Sequence, residues 1–406
     1  MIEWGATNGP PPRTISAMAE IVVIGAGVMG TSIAYHLASR RVGRVVLVEK
    51  STVCSGTSAK SSAIVRTHYS TRPTAAMALL SRRMIAAFRD EVGIDSGFVK
   101  TGMMLIGTPD ERASVHATVA MNRELGIETS LISREDARAI DPLLDPPADV
   151  PIVWEPESGY ASPHEIAHGY ASRLRDLGGE LRQDAEVTAI DIRVGRVAGV
   201  MTTRGDLAAA HVVIAAGPWA QPVGRLAGLD LPVMPSRQSI VTLRPHFAYG
   251  ASHPVVIDLA REVYARPETG GLMLVGSVRH GDDQPGDPDR YQDRPEPEFI
   301  EDVVERLAGL MPEAAEAEIA GGWSGMYEIT PDWNPIMGSA AGIAGLHYCV
   351  GFSGHGFKLA PIAGKLMAEH IVDGRASTLD LEPYRLERFI ERKSLRVAYA
   401  RAGVIA

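Results

Sequence analysis

Short, nearly uninterrupted apolar runs recur along the chain: IVVI from Ile21, VVLV from Val45, HVVI from His211 and LHYCV from Leu346. Runs without polar alternation predict strands buried on both faces, as in parallel sheets. The first feeds GAGVMG and then a helix with Ile33, Ala34 and Leu37 inward, so that together with VVLVEK it makes a βαβ unit. Residues 70–95 read as helical. TGMMLIGTPDE supplies a strand, and a further helix is expected from Arg112 to Leu125. In SPHE, Ser162 as N-cap, Pro163 at the first helical position and Glu165 at the third predict a capping box, followed by an apolar face of Ile166, Tyr170, Leu174 and Leu177 until Gly178 and Gly179. EVTAIDIRVGRVAGVMTTRG reads as a hairpin.

From Leu229 to Thr330 the pattern changes to short strands: QSIVTL, PVVID, EVYARP and LMLVG. The polar stretch GDDQPGDPDRYQDRPEPE interrupts them and reads as a solvent loop, with an active-site lid as the alternative. After LHYCV comes VGFSGHGFKLAP, a second glycine-rich strand-to-helix junction, and a helix from Phe357 to Asp373 that Gly374 ends. No internal repeat is visible.

Composition narrows the function. A net charge of −9 excludes a general nucleic-acid binder, since no basic excess can neutralise phosphates. Cys54 and Cys349 are the only cysteines and have no metal or dithiol spacing, which suits a reducing, cytoplasmic setting. The first 17 residues lack the pattern of a signal peptide and read as a flexible tail, with Met18 a candidate natural start. No apolar run is long enough to predict a transmembrane segment.

Gly25, Gly27 and Gly30 form G-x-G-x-x-G between strand and helix, and Glu49 ends the next strand 19 residues after Gly30. Gly25 permits the tight turn, Gly27 lets backbone approach a pyrophosphate, and Gly30 lets helix and strand pack closely. The helix N-terminus favours phosphate charge. Glu49 suits ribose hydroxyls and repels a 2′-phosphate. The late junction separates NAD from FAD: Gly351, Gly354 and Gly356 allow backbone to lie against a planar ring, and the helix after them aims its positive end there.

IVVIGAGVMG, VVLVEK, VVIAAGPWA, GMYEITPDWNPIMG and GFSGHGFKLAP occur in the order seen in the D-amino acid oxidase superfamily of flavoproteins. The chain resembles most its sarcosine oxidase, sarcosine dehydrogenase and glycine oxidase branch, from about Glu20 to Glu387. The resemblance implies an α/β fold: a Rossmann-like, p-hydroxybenzoate-hydroxylase-like FAD domain with an inserted α+β substrate domain on a mainly antiparallel sheet. The division expected is a tail at 1–17, a discontinuous FAD domain at 18–95, 159–228 and 332–376, a substrate domain at 96–158 and 229–331, and a helical extension at 377–406. The implied chemistry is oxidation of the C–N bond of a small secondary (N-methyl or cyclic) or D-amino acid to an imine by hydride transfer to flavin N5, followed by hydrolysis. Oxygen or an electron-transfer acceptor takes the electrons, and a homo-oligomer or heteromeric partner is left open.

On the matching motifs, the implied cofactor residues are Gly25, Gly27, Val28, Met29, Gly30, Glu49, Lys50, Ser58, Ser61, Ser62, Val187, Ala216, Gly217, Trp219, Gly354, His355, Gly356, Phe357 and Lys358. Arg66 and Lys358 match a carboxylate clamp, a sensible pairing of guanidinium fork and ammonium. Tyr327 matches a residue shaping the substrate pocket, and His355 one beside the flavin, as a catalytic group or as a helix cap. The alternatives for Arg66 and Lys358 are a surface or phosphate salt bridge and a helix-surface charge.

The departures matter too. Gly325 and Lys60 stand where relatives attach flavin to cysteine or histidine, so FAD is expected without a covalent bond; Cys54 is an outside candidate, more simply a buried thiol. Met273, or its neighbour if the match slips by one, replaces a lysine that promotes reaction with oxygen, and Ala63 replaces a flavin-facing arginine. The competing classes are a NAD-linked dehydrogenase, resting on the first βαβ unit alone, and a flavin-binding relay or structural subunit of a heteromeric dehydrogenase. A two-nucleotide monooxygenase lacks its second motif. The basic stretch from Arg385 to Arg396 reads as a helix with a solvated face or as a docking surface for a partner or anionic lipid.

Overall fold

The computed structural model describes residues 21–279, 284–395 and 399. The expected tail at 1–17 and Met18 lie outside the described residues. All four apolar runs become strands of one six-stranded sheet, in the order Ile336–Ser339, Leu346–Val350, His211–Ile214, Ile21–Ile24, Val45–Val48 and Glu180–Arg182. Only the edge strand Ile336–Ser339 is antiparallel. The four runs are nearly free of polar residues because both faces of this sheet are covered. Helices Val28–Ser39, Arg72–Ala86, Pro163–Asp176 and Gly356–Asp373 pack on one face, and the small sheet containing Val187–Arg193 and Arg196–Thr202 packs on the other.

The first helix (Val28–Ser39) and the late helix (Gly356–Asp373) cross in close contact. A Cβ on Gly364 would stand 2.1 Å from Ser32 Oγ and 2.7 Å from the Ser32 carbonyl carbon, so glycine sets the separation of their axes. Both helices start at the carboxyl ends of parallel strands, the edge of an open α/β sheet where ligands bind.

The strands from the middle of the sequence form a second, mainly antiparallel sheet. One face packs under helix Pro297–Ala308 through Val303 and Leu307. Strand Glu318–Ile329 pairs along its length with Met234–Arg244, which carries Met326, Tyr327 and Glu328 back beside the carboxyl edge of the first sheet.

Three expectations need correction. Ser162 accepts the Glu165 N–H at 3.2 Å, but its own N–H goes to the Ser96 carbonyl and not to Glu165, so no capping box closes there; Ser133 with Asp136 forms a complete one. Leu177 lies past the helix end and is 38% exposed. The extension at 377–406 is not helical as far as it is described: only the short 3₁₀ turns Glu382–Tyr384 and Leu386–Arg388 occur before residue 396. Nor is its basic stretch uniformly solvated. Arg388 is 1% exposed and pairs with Asp332 at 2.8 Å, so tertiary ion pairing, which periodicity cannot report, fixes this segment.

Candidate active site

A cavity of about 810 Å³ runs along the carboxyl edge of the six-stranded sheet. Gly25, Gly27, Val28, Met29, Glu49, Lys50, Ser58, Ser61, Ser62, Val187, Ala216, Gly217, Trp219, Tyr327, Gly354, Gly356 and Phe357 all line it. Its size lies toward the upper end for a small-molecule site.

The first turn is built by backbone crowding. Gly25 has φ +102°, and a Cβ there would meet the Ala215 carbonyl oxygen at 2.6 Å. Gly30 does not line the cavity; its missing Cβ would lie 1.8 Å from the Gly25 oxygen. Ser58 Oγ accepts the Val28 N–H at 3.1 Å and would be struck by a Cβ on Gly27. Glu49 is held over the turn by the N–H groups of Ala26 (2.8 Å) and Ser51 (2.9 Å).

The late turn is held by another strand instead. Ser353, at φ +48°, donates its N–H to the Glu328 carbonyl, and its hydroxyl accepts the Thr330 N–H at 3.1 Å. Neither the first nor the late helix carries a side-chain N-cap or an acid in its first turn. Apart from the Ser58 hydroxyl on the Val28 N–H and the Glu328 carboxyl beside the late turn, both positive helix ends face one cavity and can stabilise negative charge there. That matches a dinucleotide joined to an electron-accepting ring, and the glycine-shaped cradle at Gly27 and Ser58 fits a pyrophosphate.

Beside the late turn lies a buried polar cluster outside the cavity lining. Arg66 is 3% exposed and Lys358 7%. Arg66 stacks on the Tyr69 ring at 4.2 Å from its centroid and donates to the His68 carbonyl. Tyr69 Oη and His355 Nδ1 are 3.2 Å apart. Burial, then the neighbouring Arg66 cation, pushes the Lys358 ammonium well below its usual range. Burial, Lys358 and Arg66 hold His355 well below the usual histidine value, so it stays neutral at pH 7. Burial raises Tyr69 to about 12, which leaves its hydroxyl able to donate to that neutral imidazole. On the far side Glu155 accepts the Thr67 N–H at 3.0 Å and the Ser158 hydroxyl at 2.8 Å, and burial raises its carboxyl. The surface-charge alternatives for Arg66 and Lys358 do not describe these positions.

Several contributors were invisible in sequence. Gln238, Tyr264, Glu328 and Tyr291 line the cavity from the second sheet or its loops. The polar stretch is no free solvent loop: Asp289 bonds Lys50 Nζ at 2.6 Å and Trp219 Nε1 at 2.9 Å, and Tyr291 Oη meets Lys60 Nζ at 2.7 Å. Its only signal was one tyrosine among polar residues. Met273 lies in the core beneath helix Pro297–Ala308 and not in the cavity wall; Leu274 faces the opposite cluster, because successive strand residues alternate faces. The Cys54 thiol is 1% exposed and pushed up to about 12 by burial, as an inert thiol would be.

The family model described as DAO: FAD dependent oxidoreductase matches residues 20–370. Glycine oxidase of Geobacillus kaustophilus is 30% identical over 91% of this chain and 97% of that protein. The mitochondrial pyruvate dehydrogenase phosphatase regulatory subunit of Mus musculus is 26% identical over 91% of this chain but only 44% of its own length. The solved structure of L-proline dehydrogenase from P. horikoshii matches with a TM-score of 0.86 at 29% identity, covering 93% of this chain and 99% of that one. With two uncapped helix ends meeting over one glycine-lined cavity and a family match across most of its length, the chain belongs to the DAO family of FAD-dependent oxidoreductases.

Proposed function

We propose that the protein oxidises the C–N bond of a small amino acid with a free carboxylate, either a secondary amine (N-methyl or cyclic) or a D-amino acid. The observation that carries this reading is the pair of buried cations, Arg66 and Lys358, beside the turn that lines the cavity at Gly354–Phe357. Burial, and then the Arg66 cation near it, push Lys358 down. A substrate carboxylate between the two would offset that repulsion, with the guanidinium giving direction and the ammonium a point charge. The relatives named for glycine oxidation and L-proline dehydrogenation support an amino acid substrate.

The chemistry supplied by FAD, held without a covalent bond, would be two-electron oxidation of the amine C–N bond to an imine, which water would hydrolyse. The chain's part is placement. Gly27, Val28 and Ser58 would hold the pyrophosphate, Glu49 the ribose, and the late helix end would stabilise charge on the reduced ring. Arg66 and Lys358 would orient the carboxylate, while Tyr327 closes the cavity wall. Two cations nearby lower the pKa of a substrate ammonium, which favours the neutral amine that can release hydride. His355, neutral and fastened to Tyr69, would position the substrate rather than act as a strong base. The second sheet would serve as the substrate domain.

The test is product analysis after incubation with sarcosine, proline, glycine and D-alanine under air and with an artificial electron acceptor. A carbonyl product and free amine from one substrate support the proposal. A flavin-loaded protein that yields none with either acceptor points to the relay or regulatory reading, which the similarity to a regulatory subunit supports.

A further inference from the structure

Glu328 has a role that no motif assigned. It lies on strand Glu318–Ile329, lines the cavity, and sits between the turn at Gly217 and the N-terminus of the late helix. One carboxyl oxygen, Oε1, accepts the Phe352 N–H at 3.3 Å. The other, Oε2, is buried without a hydrogen-bond partner, and a Cβ at Gly217 would stand 3.9 Å from it. A buried carboxyl oxygen left unpaired costs free energy that a ligand in the cavity can recover.

We propose that Glu328 positions the cofactor through this oxygen and takes up a proton when the flavin is reduced. The inference rests on the FAD reading above. Two electrons and one proton convert oxidised flavin to its singly charged reduced form; negative charge arriving beside a carboxylate would then be offset by a second proton from solvent, carried on Glu328. Electrons come from the amine substrate, so no further reactant is needed.

The surroundings permit this. Burial raises the Glu328 carboxyl to about 7, against lowering by the N–H groups of Gly351 and Phe352. From the neighbouring strand the titratable group facing it is the Cys349 thiol, which burial and Glu328 hold well above its usual value. The turn after His211–Ile214 presents Gly217, Pro218 and Trp219, none of them charged. The late helix brings His355 and Lys358, both depressed by burial, and Asp332 beyond the strand end is paired with Arg388. No ion pair to Glu328 is recorded among the described residues.

The experiment compares the holoenzyme with Glu328→Gln and Glu328→Leu by potentiometric titration of the flavin between pH 6 and pH 8. The native slope should correspond to about two protons per two electrons and the glutamine variant to about one, with a potential above native at pH 8. Glu328→Gln should keep FAD affinity within about threefold, and Glu328→Leu, which cannot hydrogen-bond, should weaken it roughly tenfold. Equal slopes for native and Glu328→Gln would overturn the proton-uptake role. Equal FAD affinity in all three would overturn the positioning role. Absence of flavin from the native protein would instead remove the FAD reading itself.

Discussion

The turns at Gly25–Gly30 and Gly351–Gly356 each end a parallel strand of the same sheet and start an uncapped helix into the same cavity. The first is shaped almost entirely from within. Its glycines are required by Gly25 and Ala215 backbone atoms, and Ser58 closes the cradle. The second is shaped from outside: Ser353 and Phe352 are tied to Glu328 on a strand of the other sheet and to Thr330 just past its end. A turn that carries its own constraints suits the constant part of a cofactor. One that is fastened to a second sheet would, on the proposed function, couple the substrate wall to the reactive ring.

That contrast can be broken at its strongest point first. Gly30→Ala places a methyl group against the Gly25 oxygen, and it should cost about 3 kcal/mol of stability and abolish flavin binding, read by thermal melting and the bound-flavin spectrum. Lys358→Met at the second turn should leave flavin bound but raise KM for a carboxylate substrate roughly 30- to 100-fold, equivalent to about 2–3 kcal/mol for a charged contact. Binding of acetate, followed by flavin spectral change, should weaken as pH rises through the depressed Lys358 value, because only the ammonium form attracts the anion. Unchanged KM would detach the second turn from the substrate.

A milder test separates internal from external support. Ser353→Gly keeps the positive φ but deletes the hydroxyl that holds Thr330, so it should lower stability by about 1 kcal/mol and change kcat more than FAD affinity. In the apoprotein, Glu328→Gln should raise the melting temperature at pH 8 and leave it unchanged at pH 4. The native carboxyl titrates near 7 when folded and near 4.5 when unfolded, so its destabilising effect enters as pH rises through that window. Smallest of all, Asp289→Ala removes the bonds to Lys50 and Trp219 across the cavity mouth and should speed FAD release about threefold, since exposed ion pairs contribute little.

Legibility followed the same division. The first turn could be read residue by residue, because strand, glycine spacing and acid lie within one βαβ unit. The apolar runs predicted the buried parallel sheet because a strand covered on both faces has no polar side. Arg66, Lys358, His355 and Tyr327 are singled out by resemblance alone, and the structure brings the first three into one buried cluster. Glu328, Glu155 and Tyr69 were missed, since nothing local marks a carboxyl or phenol as buried against a residue far away in sequence. The expected helix at the C-terminus failed for a related reason: Arg388 is placed by Asp332, not by helical periodicity.

The most direct test of the account is the visible spectrum of the purified protein, recorded anaerobically while small amino acids are added one at a time. It predicts a flavin spectrum that bleaches rapidly with one carboxylate-bearing amine and far more slowly in Lys358→Met at the same concentration. A flavin that no amine or amino acid bleaches, or bleaching indifferent to Lys358, would contradict the assignment of the buried cations as the substrate site.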